Sequence, residues 1–384
     1  MKVVYCIAGT YNSGGMERVL ANKANYLVRK GYEVVIITTD QRGQSPFFTL
    51  DNRISCYDLN VNYEDTNGNS FLSKLVYYPF KRQIHREKLT CLLQNLKADV
   101  VISMFCNDAS FLWKIKDGSK KLLEIHFCRY KRLQLDRKGI WRLADRLRNW
   151  LDLKMVRKYD TFVVLTHEDE AYWGDIPQMA VIPNALSFSS LEQSALINKK
   201  MIAVGRYDYQ KGFDYLIDAW AIVHNHCPEW SLDIIGEGEL RRQLQNRIDR
   251  YGLGASIHLK PPTNRIEEEY KNASALVMSS RYEGFGMVLL EAQSMGLPVI
   301  SFACKCGPRD IIIDGENGFL VPENNVAGLA DRILRLIIDD ELRQRMGKAA
   351  KENSLRFSET LVMDKWEKLF CVLGNSGESS EKNT

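Results

Sequence analysis

Two glutamates and a glycine-rich loop mark the stretch of this chain in which chemistry is most clearly encoded. From 279 to 302 the sequence reads S-S-R-Y-E-G-F-G-M-V-L-L-E-A-Q-S-M-G-L-P-V-I-S-F, which predicts a loop, a helix and a strand. The two glycines of the loop allow the backbone to approach a ligand closely. The helix then points unpaired N–H groups at whatever lies above it, which suits a phosphate. Glu283 and Glu291 flank this anion site, where a carboxylate would accept hydrogen bonds from sugar or ribose hydroxyls.

Two cations form a second candidate group. Arg206 and Lys211 follow a predicted strand in the pattern G-R-x-x-x-x-K-G. Cations at this position could stabilise the negative charge of a phosphate or diphosphate, a task that a metal ion can also perform. Arginine offers a bidentate fork and lysine a point charge. Because the sequence has no D-x-D at a strand end, we expect these side chains to act without a metal or other cofactor. On the residues alone, the two cations could equally face solvent.

His126 is a third candidate, at the end of a strand predicted over 121–127. The carboxyl end of a parallel strand is where such folds bind ligands. The residue alone nevertheless favours the simpler interpretation, a strand-end histidine bonded to backbone.

A turn that contains Gly9, Gly14 and Gly15 follows the first predicted strand and leads into a helix and a second strand. Such a βαβ unit can bind a phosphate, and Asp40 ends the second strand where a dinucleotide-binding fold would bind ribose. The three glycines do not form G-x-G-x-x-G, so the pattern argues against NAD.

Alternating strands and helices recur along the whole chain and predict an α/β fold with two doubly wound parallel sheets. We predict a Rossmann-like N-terminal domain over 1–185, a linker over 186–200, a second Rossmann-like domain over 201–357 and a disordered tail over 374–384. Two such domains facing each other would form a cleft between the carboxyl edges of their sheets.

Composition narrows the class of protein. The 384 residues are 45% hydrophobic, which is ample for sizeable cores, and the net charge of +4 does not argue for nucleic acid. The nine cysteines follow no disulfide or metal pattern and indicate reduced thiols. No apolar run is as long as a membrane span or a signal peptide, so we expect a cytoplasmic protein whose membrane contact, if it has one, is peripheral.

The spacing E-x7-E from Glu283 to Glu291, followed by Ala292 and by Gly296-Leu297-Pro298, resembles the signature of family 4 glycosyltransferases. The segments V-G-R and K-G-F-D around Arg206 and Lys211 match the same family. The family resemblance implies two facing Rossmann-like domains (the GT-B fold) and a cleft for a nucleotide sugar. It also implies that a C-terminal helix, at about 358–373, crosses back onto the first domain.

The resemblance implies a retaining enzyme that moves a sugar from a nucleoside diphosphate sugar, a UDP-sugar, to a hydroxyl of a glycan or lipid-linked acceptor, as in bacterial cell-surface polysaccharide biosynthesis. Glu283 would contact the donor sugar, Glu291 the ribose, and His126 would line the sugar site. Catalytic roles fall on Glu283, His126, Arg206 and Lys211. The residues that would bind the donor are Gly14, Gly15, Arg206, Lys211, Glu283, Phe285, Gly286, Met287, Val288 and Glu291.

Other functions fit the same scaffold. A pyridoxal-type phosphorylase would need a Schiff-base lysine, which we cannot identify, and a nucleotide-sugar epimerase stays open. A non-catalytic sugar- or nucleotide-binding subunit would lack some of the candidate catalytic residues, whereas all of them are present in this sequence.

A basic segment lies outside these motifs. Between Arg129 and Lys158 there are eleven cations and only three acids. Apolar residues recur at helical spacing within it: Ile140, Leu143, Ala144, Leu147, Trp150, Leu151 and Met155. The pattern alone favours a helix that packs this stripe into its own domain and exposes its cations. The alternative is a helix that lies on an anionic membrane.

Overall fold

The computed structural model describes residues 1–66, 71–131, 139–188 and 192–375, which form two compact units. Unit 1 comprises Met1–Leu165, Glu170–Ile182 and the C-terminal segment from Thr360, and unit 2 comprises Thr166–Asp169 and Pro183–Glu359. Most of the tail predicted to be disordered, from 376 onward, lies outside the described residues.

Unit 1 is built on a seven-stranded sheet in the order β3-β2-β1-β4-β5-β6-β7, in which every pairing is parallel. The strands are short apolar runs such as V-V-Y-C-I, because helices cover both faces of a parallel sheet and bury both sets of side chains. Their bounds are β1 Lys2–Ile7, β2 Glu33–Thr38, β3 Ser55–Asp58, β4 Val100–Ser103, β5 Lys120–Glu124, β6 Thr161–Val164 and β7 Met179–Val181.

The helices that lie wholly or mostly within unit 1 are α1 Gly15–Arg29, α2 Phe71–Leu96, α3 Ile140–Val156, α4 His167–Trp173 and α12 Glu359–Asn375. Helix α12 returns to unit 1 at the end of the chain, where Phe370 packs against Tyr32, with ring centroids 6.0 Å apart.

Unit 2 repeats the architecture with six strands in the order β10-β9-β8-β11-β12-β13, again all parallel. The strands are β8 Lys200–Val204, β9 Ser231–Ile235, β10 Ile257–Lys260, β11 Ala275–Met278, β12 Val299–Phe302 and β13 Gly318–Val321. The helices are α5 Phe213–His226, α6 Arg241–Arg250, α7 Ile266–Lys271, α8 Met287–Ser294, α9 Pro308–Ile311, α10 Val326–Ile338 and α11 Asp340–Ser354.

Both sheets reverse their strand order at one point. In unit 1 the reversal lies between β1 and β4, and in unit 2 between β8 and β11. Open α/β sheets bind ligands outside the carboxyl ends of the strands at such a switch point, because the two following loops diverge there and leave a crevice. The pair of doubly wound parallel sheets confirms the predicted fold class and identifies the loops in which to look for chemistry.

Candidate active site

The switch point of unit 2 brings two sequence-predicted residues into contact. Lys211 lies in a short 3-10 turn after β8, and Glu283 lies in the loop after β11. Lys211 Nζ donates to Glu283 Oε1 over 2.7 Å, and Ser280 Oγ donates to the same oxygen over 2.6 Å. The side chain of Lys211 is 15% exposed and that of Glu283 is 7% exposed. The pair is therefore sheltered from water but still reaches the surface.

Backbone contacts hold the two loops at this distance. Ser279 Oγ donates to the Lys211 carbonyl over 3.0 Å, and Gln210 Nε2 donates to the Tyr282 carbonyl over 3.0 Å. The Arg281 N–H donates to the Gln210 carbonyl over 2.8 Å. Each bond crosses from one loop to the other, so the loops are fixed to each other as one body.

Arg281 adds a side-chain clamp between the same loops. Its guanidinium lies between the rings of Tyr209 and Tyr215, 4.2 and 4.3 Å from their centroids. It also forms an ion pair with Asp214 at 2.6 Å and donates to the Tyr209 carbonyl. Stacking on the two rings while the two terminal nitrogens donate to different acceptors uses the planar shape of arginine, so a lysine here would not replace it.

Helix α8 begins directly after the glycine-rich loop of the candidate site. It begins at Met287, so the N–H groups of Gly286, Met287 and Val288 have no acceptor within the helix. Gly286 has φ +90°, a conformation that a side chain would strain. Phe285 is buried and packs edge-on against Phe357, so only its backbone is available to a ligand.

A second glycine allows a supporting loop to lie under this one. A Cβ on Gly307 would lie 1.9 Å from the Phe285 carbonyl oxygen, and Gly307 also has a positive φ of 110°. The loop after β12 therefore packs directly on the backbone of the glycine-rich loop. This close backbone contact supports the glycine-rich loop from below.

Glu291 lies one and a half turns into α8 and is 5% exposed. Its Oε2 accepts a hydrogen bond from the hydroxyl of the fully buried Tyr270 at 3.1 Å. A buried carboxylate in a helix is costly unless it is hydrogen-bonded. This environment contradicts the simplest alternative, a solvated glutamate on an ordinary amphipathic helix, and Tyr270 orients the carboxylate.

Arg206 is placed differently from Lys211. Its side chain is 74% exposed and forms an ion pair with Asp208 at 3.2 Å. The structure thus leaves Arg206 largely in solvent in the absence of a ligand, as one of the two sequence interpretations allowed. A long exposed arginine can reorient towards an anion without breaking a buried contact.

In unit 1, Gly14 caps α1 and Gly15 opens it, in the loop after β1. His126 lies two residues beyond the end of β5, so the strand predicted to reach 127 stops earlier, at Glu124. His126 Nε2 lies 3.2 Å from Glu124 Oε1. A carboxylate rather than a backbone carbonyl therefore faces this histidine.

Glu124 is itself part of a buried ion pair that sequence reasoning missed. Lys23 of α1 donates to Glu124 Oε1, and the two side chains are 5% and 1% exposed. The ring of Trp366, from α12, lies 3.9 Å from Lys23 Nζ. Burial alone would raise the pKa of Glu124, but the charges of Lys23 and His126 and their hydrogen bonds lower it to about 2. Glu124 is therefore a carboxylate at neutral pH.

Comparisons with known proteins agree with this architecture. A family model described as Glycosyltransferase Family 4 matches residues 13–189, and one described as Glycosyl transferases group 1 matches residues 192–353. The amylovoran biosynthesis glycosyltransferase AmsD of Erwinia amylovora is 28% identical over 377 residues, which cover 95% of this chain and 98% of the relative.

Two further proteins are similar over nearly their whole length. One, from Campylobacter jejuni, is 26% identical over 98% of this chain and 100% of its own, and is named GalNAc-alpha-(1->4)-GalNAc-alpha-(1->3)-diNAcBac-PP-undecaprenol alpha-1,4-N-acetyl-D-galactosaminyltransferase. The other is a crystal structure of a mutant of S. aureus TarM in complex with fondaparinux, alpha-GlcNAc-glycerol and UDP. It superposes with a TM-score of 0.76 at 17% identity and covers 96% of this chain and 99% of TarM.

Two doubly wound parallel sheets, one with a glycine-rich loop at its switch point, form the α/β fold of GT-B glycosyltransferases. The two family models together span nearly the whole chain, and the chain is a glycosyltransferase.

Proposed function

We propose that this chain transfers a glycosyl group from a UDP-sugar to a hydroxyl of a glycan or lipid-linked acceptor in surface polysaccharide biosynthesis. The observation that carries the proposal is the Lys211–Glu283–Ser280 cluster beside the start of α8, at the switch point of unit 2. UDP is supported by its presence in the TarM complex, and the acceptor class by the names of the Erwinia and Campylobacter relatives.

The first task of such a site is to stabilise the departing diphosphate. In this proposal the N–H groups at the start of α8 bind its oxygens, because a helix N-terminus favours negative charge. Lys211 contributes a sheltered positive charge, and Arg206 turns from solvent onto the diphosphate. Together the two cations would supply the charge that a divalent metal supplies in other transferases. We therefore propose that transfer does not need a metal ion.

The second task is to hold the two sugars of the donor. Glu291 is buried and oriented by Tyr270, which suits a carboxylate that accepts hydrogen bonds from the ribose hydroxyls. Glu283, in the loop ahead of α8, is assigned to the hydroxyls of the transferred sugar. His126, held near Glu124 in unit 1, is assigned to the sugar site. Retention of the anomeric configuration rests on the family resemblance, and we assign no nucleophile.

The test is a hydrolysis screen of the purified full chain against a panel of nucleoside diphosphate sugars, with release of the diphosphate as the readout. We expect slow hydrolysis of one UDP-sugar above all others, and a product whose anomeric configuration, followed by proton NMR, matches that of the donor. Failure of every nucleotide sugar to bind in calorimetry would rule out the proposal. An inverted product would leave transfer standing and remove retention.

A further inference from the structure

Helix α3 turns an apolar face towards solvent. Leu143 is 67% exposed, Leu147 56%, Trp150 49% and Leu151 48%. Their spacing of i, i+4, i+7 and i+8 places all four on one side of the helix. Exposed apolar residues scattered singly are ordinary on a protein surface, but a contiguous group on one helix face marks a contact with a partner.

The inward face of the same helix carries two acidic residues together with a valine. Asp145 is 3% exposed and Val156 is fully buried, while Asp152 is half-buried. The interpretation that the sequence pattern favoured, with the apolar stripe packed into its own domain, is therefore wrong for Leu143, Leu147, Trp150 and Leu151. Of that stripe, Ala144 and Met155 are the described residues that are half-buried.

Cations surround the exposed apolar face. The exposed ones between 142 and 158 are Arg142, Arg146, Arg148, Lys154, Arg157 and Lys158, and none of the exposed residues in this range is acidic. Lys154 Nζ lies 3.7 Å from the centre of the Trp150 ring, so one cation lies directly on the apolar face. This arrangement of leucines and a tryptophan flanked by positive charges complements a surface that has an apolar interior and an anionic outer layer.

We propose that α3 is a membrane-docking helix, which lies in the plane of an anionic bilayer with Leu143, Leu147, Trp150 and Leu151 in the acyl region. An interfacial helix inserts its apolar face about 5–10 Å, and its cations then reach the headgroup phosphates. Trp150 suits the boundary because its ring is apolar and its N–H is polar. This inference extends the proposed function: docking would hold unit 1 at the membrane surface, where a lipid-linked acceptor would be located.

None of the helices in the described part of the chain is both long and apolar enough to cross a membrane. Docking through α3 as proposed is peripheral, because the helix lies in the plane of the interface. It would also depend on salt, since screening at high ionic strength weakens the attraction between exposed cations and headgroups.

The experiment is co-sedimentation of the purified full chain with vesicles of phosphatidylcholine, with and without phosphatidylglycerol, at low and high salt. We expect binding to the anionic vesicles that weakens with salt. Leu147→Ser/Trp150→Ser should reduce binding roughly tenfold or more, because it removes inserted apolar surface. Arg146→Gln/Arg148→Gln should reduce binding at low salt by about fivefold per cation.

Matched controls separate this face from general stickiness. Arg242→Gln/Arg250→Gln removes the same charge from exposed positions on α6, and Ile338→Ser/Leu355→Ser removes exposed apolar residues of unit 2. Both controls should bind vesicles like the parent chain. All of these changes are at exposed positions, so thermal unfolding should be unchanged in every variant.

Equal binding to anionic and neutral vesicles at low salt would overturn the proposal, as would α3 variants that bind like the parent chain. A parent chain that ignores vesicles but self-associates until Leu147 and Trp150 are replaced would show that a second copy covers the face, and would also overturn it. Sedimentation needs neither donor nor acceptor, so the outcome does not depend on whether the proposed glycosyl transfer is correct.

Discussion

Two lysine–glutamate pairs of this protein have the same chemistry and different surroundings. Lys23 and Glu124 in unit 1 are 5% and 1% exposed, and the Trp366 ring covers the ammonium. Lys211 and Glu283 in unit 2 are 15% and 7% exposed and lie on two loops at a switch point. The first pair joins α1 to the end of β5, inside the unit. The second pair joins two loops at the edge of the sheet, where a ligand can reach it.

The difference teaches that burial decides what an ion pair can do. A fully buried pair cannot exchange partners, because each charge that loses the other stays in a low-dielectric interior. A pair at a loop edge can exchange its partner for a ligand, since water or the ligand compensates each charge. We therefore expect Lys23 and Glu124 to act on stability and on the position of His126, and Lys211 and Glu283 to act on turnover.

The largest expected effect is on stability, from Lys23→Met. This change removes the lysine partner of the buried Glu124 and leaves only His126 beside the carboxylate, and breaking a buried ion pair in this way costs about 3–5 kcal/mol. Urea unfolding followed by circular dichroism measures it. Lys23→Met/Glu124→Gln removes both charges and should recover most of the loss. A double variant as unstable as the sum of the two single variants would show that the pair is not coupled.

The next effect is on catalysis, from Lys211→Met. Removing a fixed charge that stabilises a leaving group costs about 10²–10³ in kcat, or roughly 2.7–4 kcal/mol. Stability should fall by less than in Lys23→Met, because Glu283 keeps the Ser280 hydroxyl as a hydrogen-bond donor when Lys211 is lost. Lys348→Met, at an exposed position in the same unit, is the matched control and should retain full activity. If Lys211→Met instead unfolds the protein as Lys23→Met does, the contrast between the two pairs is lost.

A smaller effect separates the two glutamates of unit 2. Glu291→Ala should weaken binding of bare UDP by roughly 1.5–3 kcal/mol, about tenfold to a hundredfold, because a hydrogen bond to an ionised group is lost. Glu283→Ala should bind UDP nearly as well as the parent chain while turnover collapses. Calorimetry with UDP decides between them. Equal losses of affinity in the two variants would contradict the separate assignments to ribose and donor sugar.

The smallest expected effect is that of metal removal, which should be none. If Arg206 and Lys211 supply the charge, transfer should proceed at the same rate in excess chelator. The measurement is initial rate with chelator, with chelator plus Mg²⁺, and with chelator plus Mn²⁺. If chelator abolishes activity and added metal restores it, the prediction is wrong, and a bound metal ion rather than the two cations stabilises the diphosphate.

Most of the fold could be predicted from the sequence because parallel strands buried on both faces are near-continuous apolar runs. The apolar runs A-L-V-M at 275–278 and G-F-L-V at 318–321 form β11 and β13. Strand ends were less certain: the run at 121–127 remains apolar past Glu124, where pairing with β6 stops. Helices α4 and α11 were not foreseen, since α11 in particular is rich in charged residues and has few apolar ones.

In the site, sequence predicted the residues that belong to local motifs and missed those that support them. Lys211 and Glu283 each lie in a recognisable loop. Tyr270 contacts Glu291 and Arg281 joins the two loops, but neither residue belongs to a recognisable motif. In the sequence they are simply a tyrosine and an arginine near predicted turns, so no pattern indicated their role. Lys23 is separated from Glu124 by 101 residues, so no local pattern could pair them.

The sequence by itself determined the two parallel sheets, the glycine-rich loop and the spacing of the two glutamates, because each buried strand, the loop and the glutamate spacing is visible as a local pattern of residues. It also determined that α3 has an apolar side and a basic side. Only the tertiary structure decided which side faces out. Periodicity is a property of one helix, whereas burial depends on the surface it packs against, and unit 1 accepts Asp145 and Val156 there and leaves Leu147 and Trp150 to solvent.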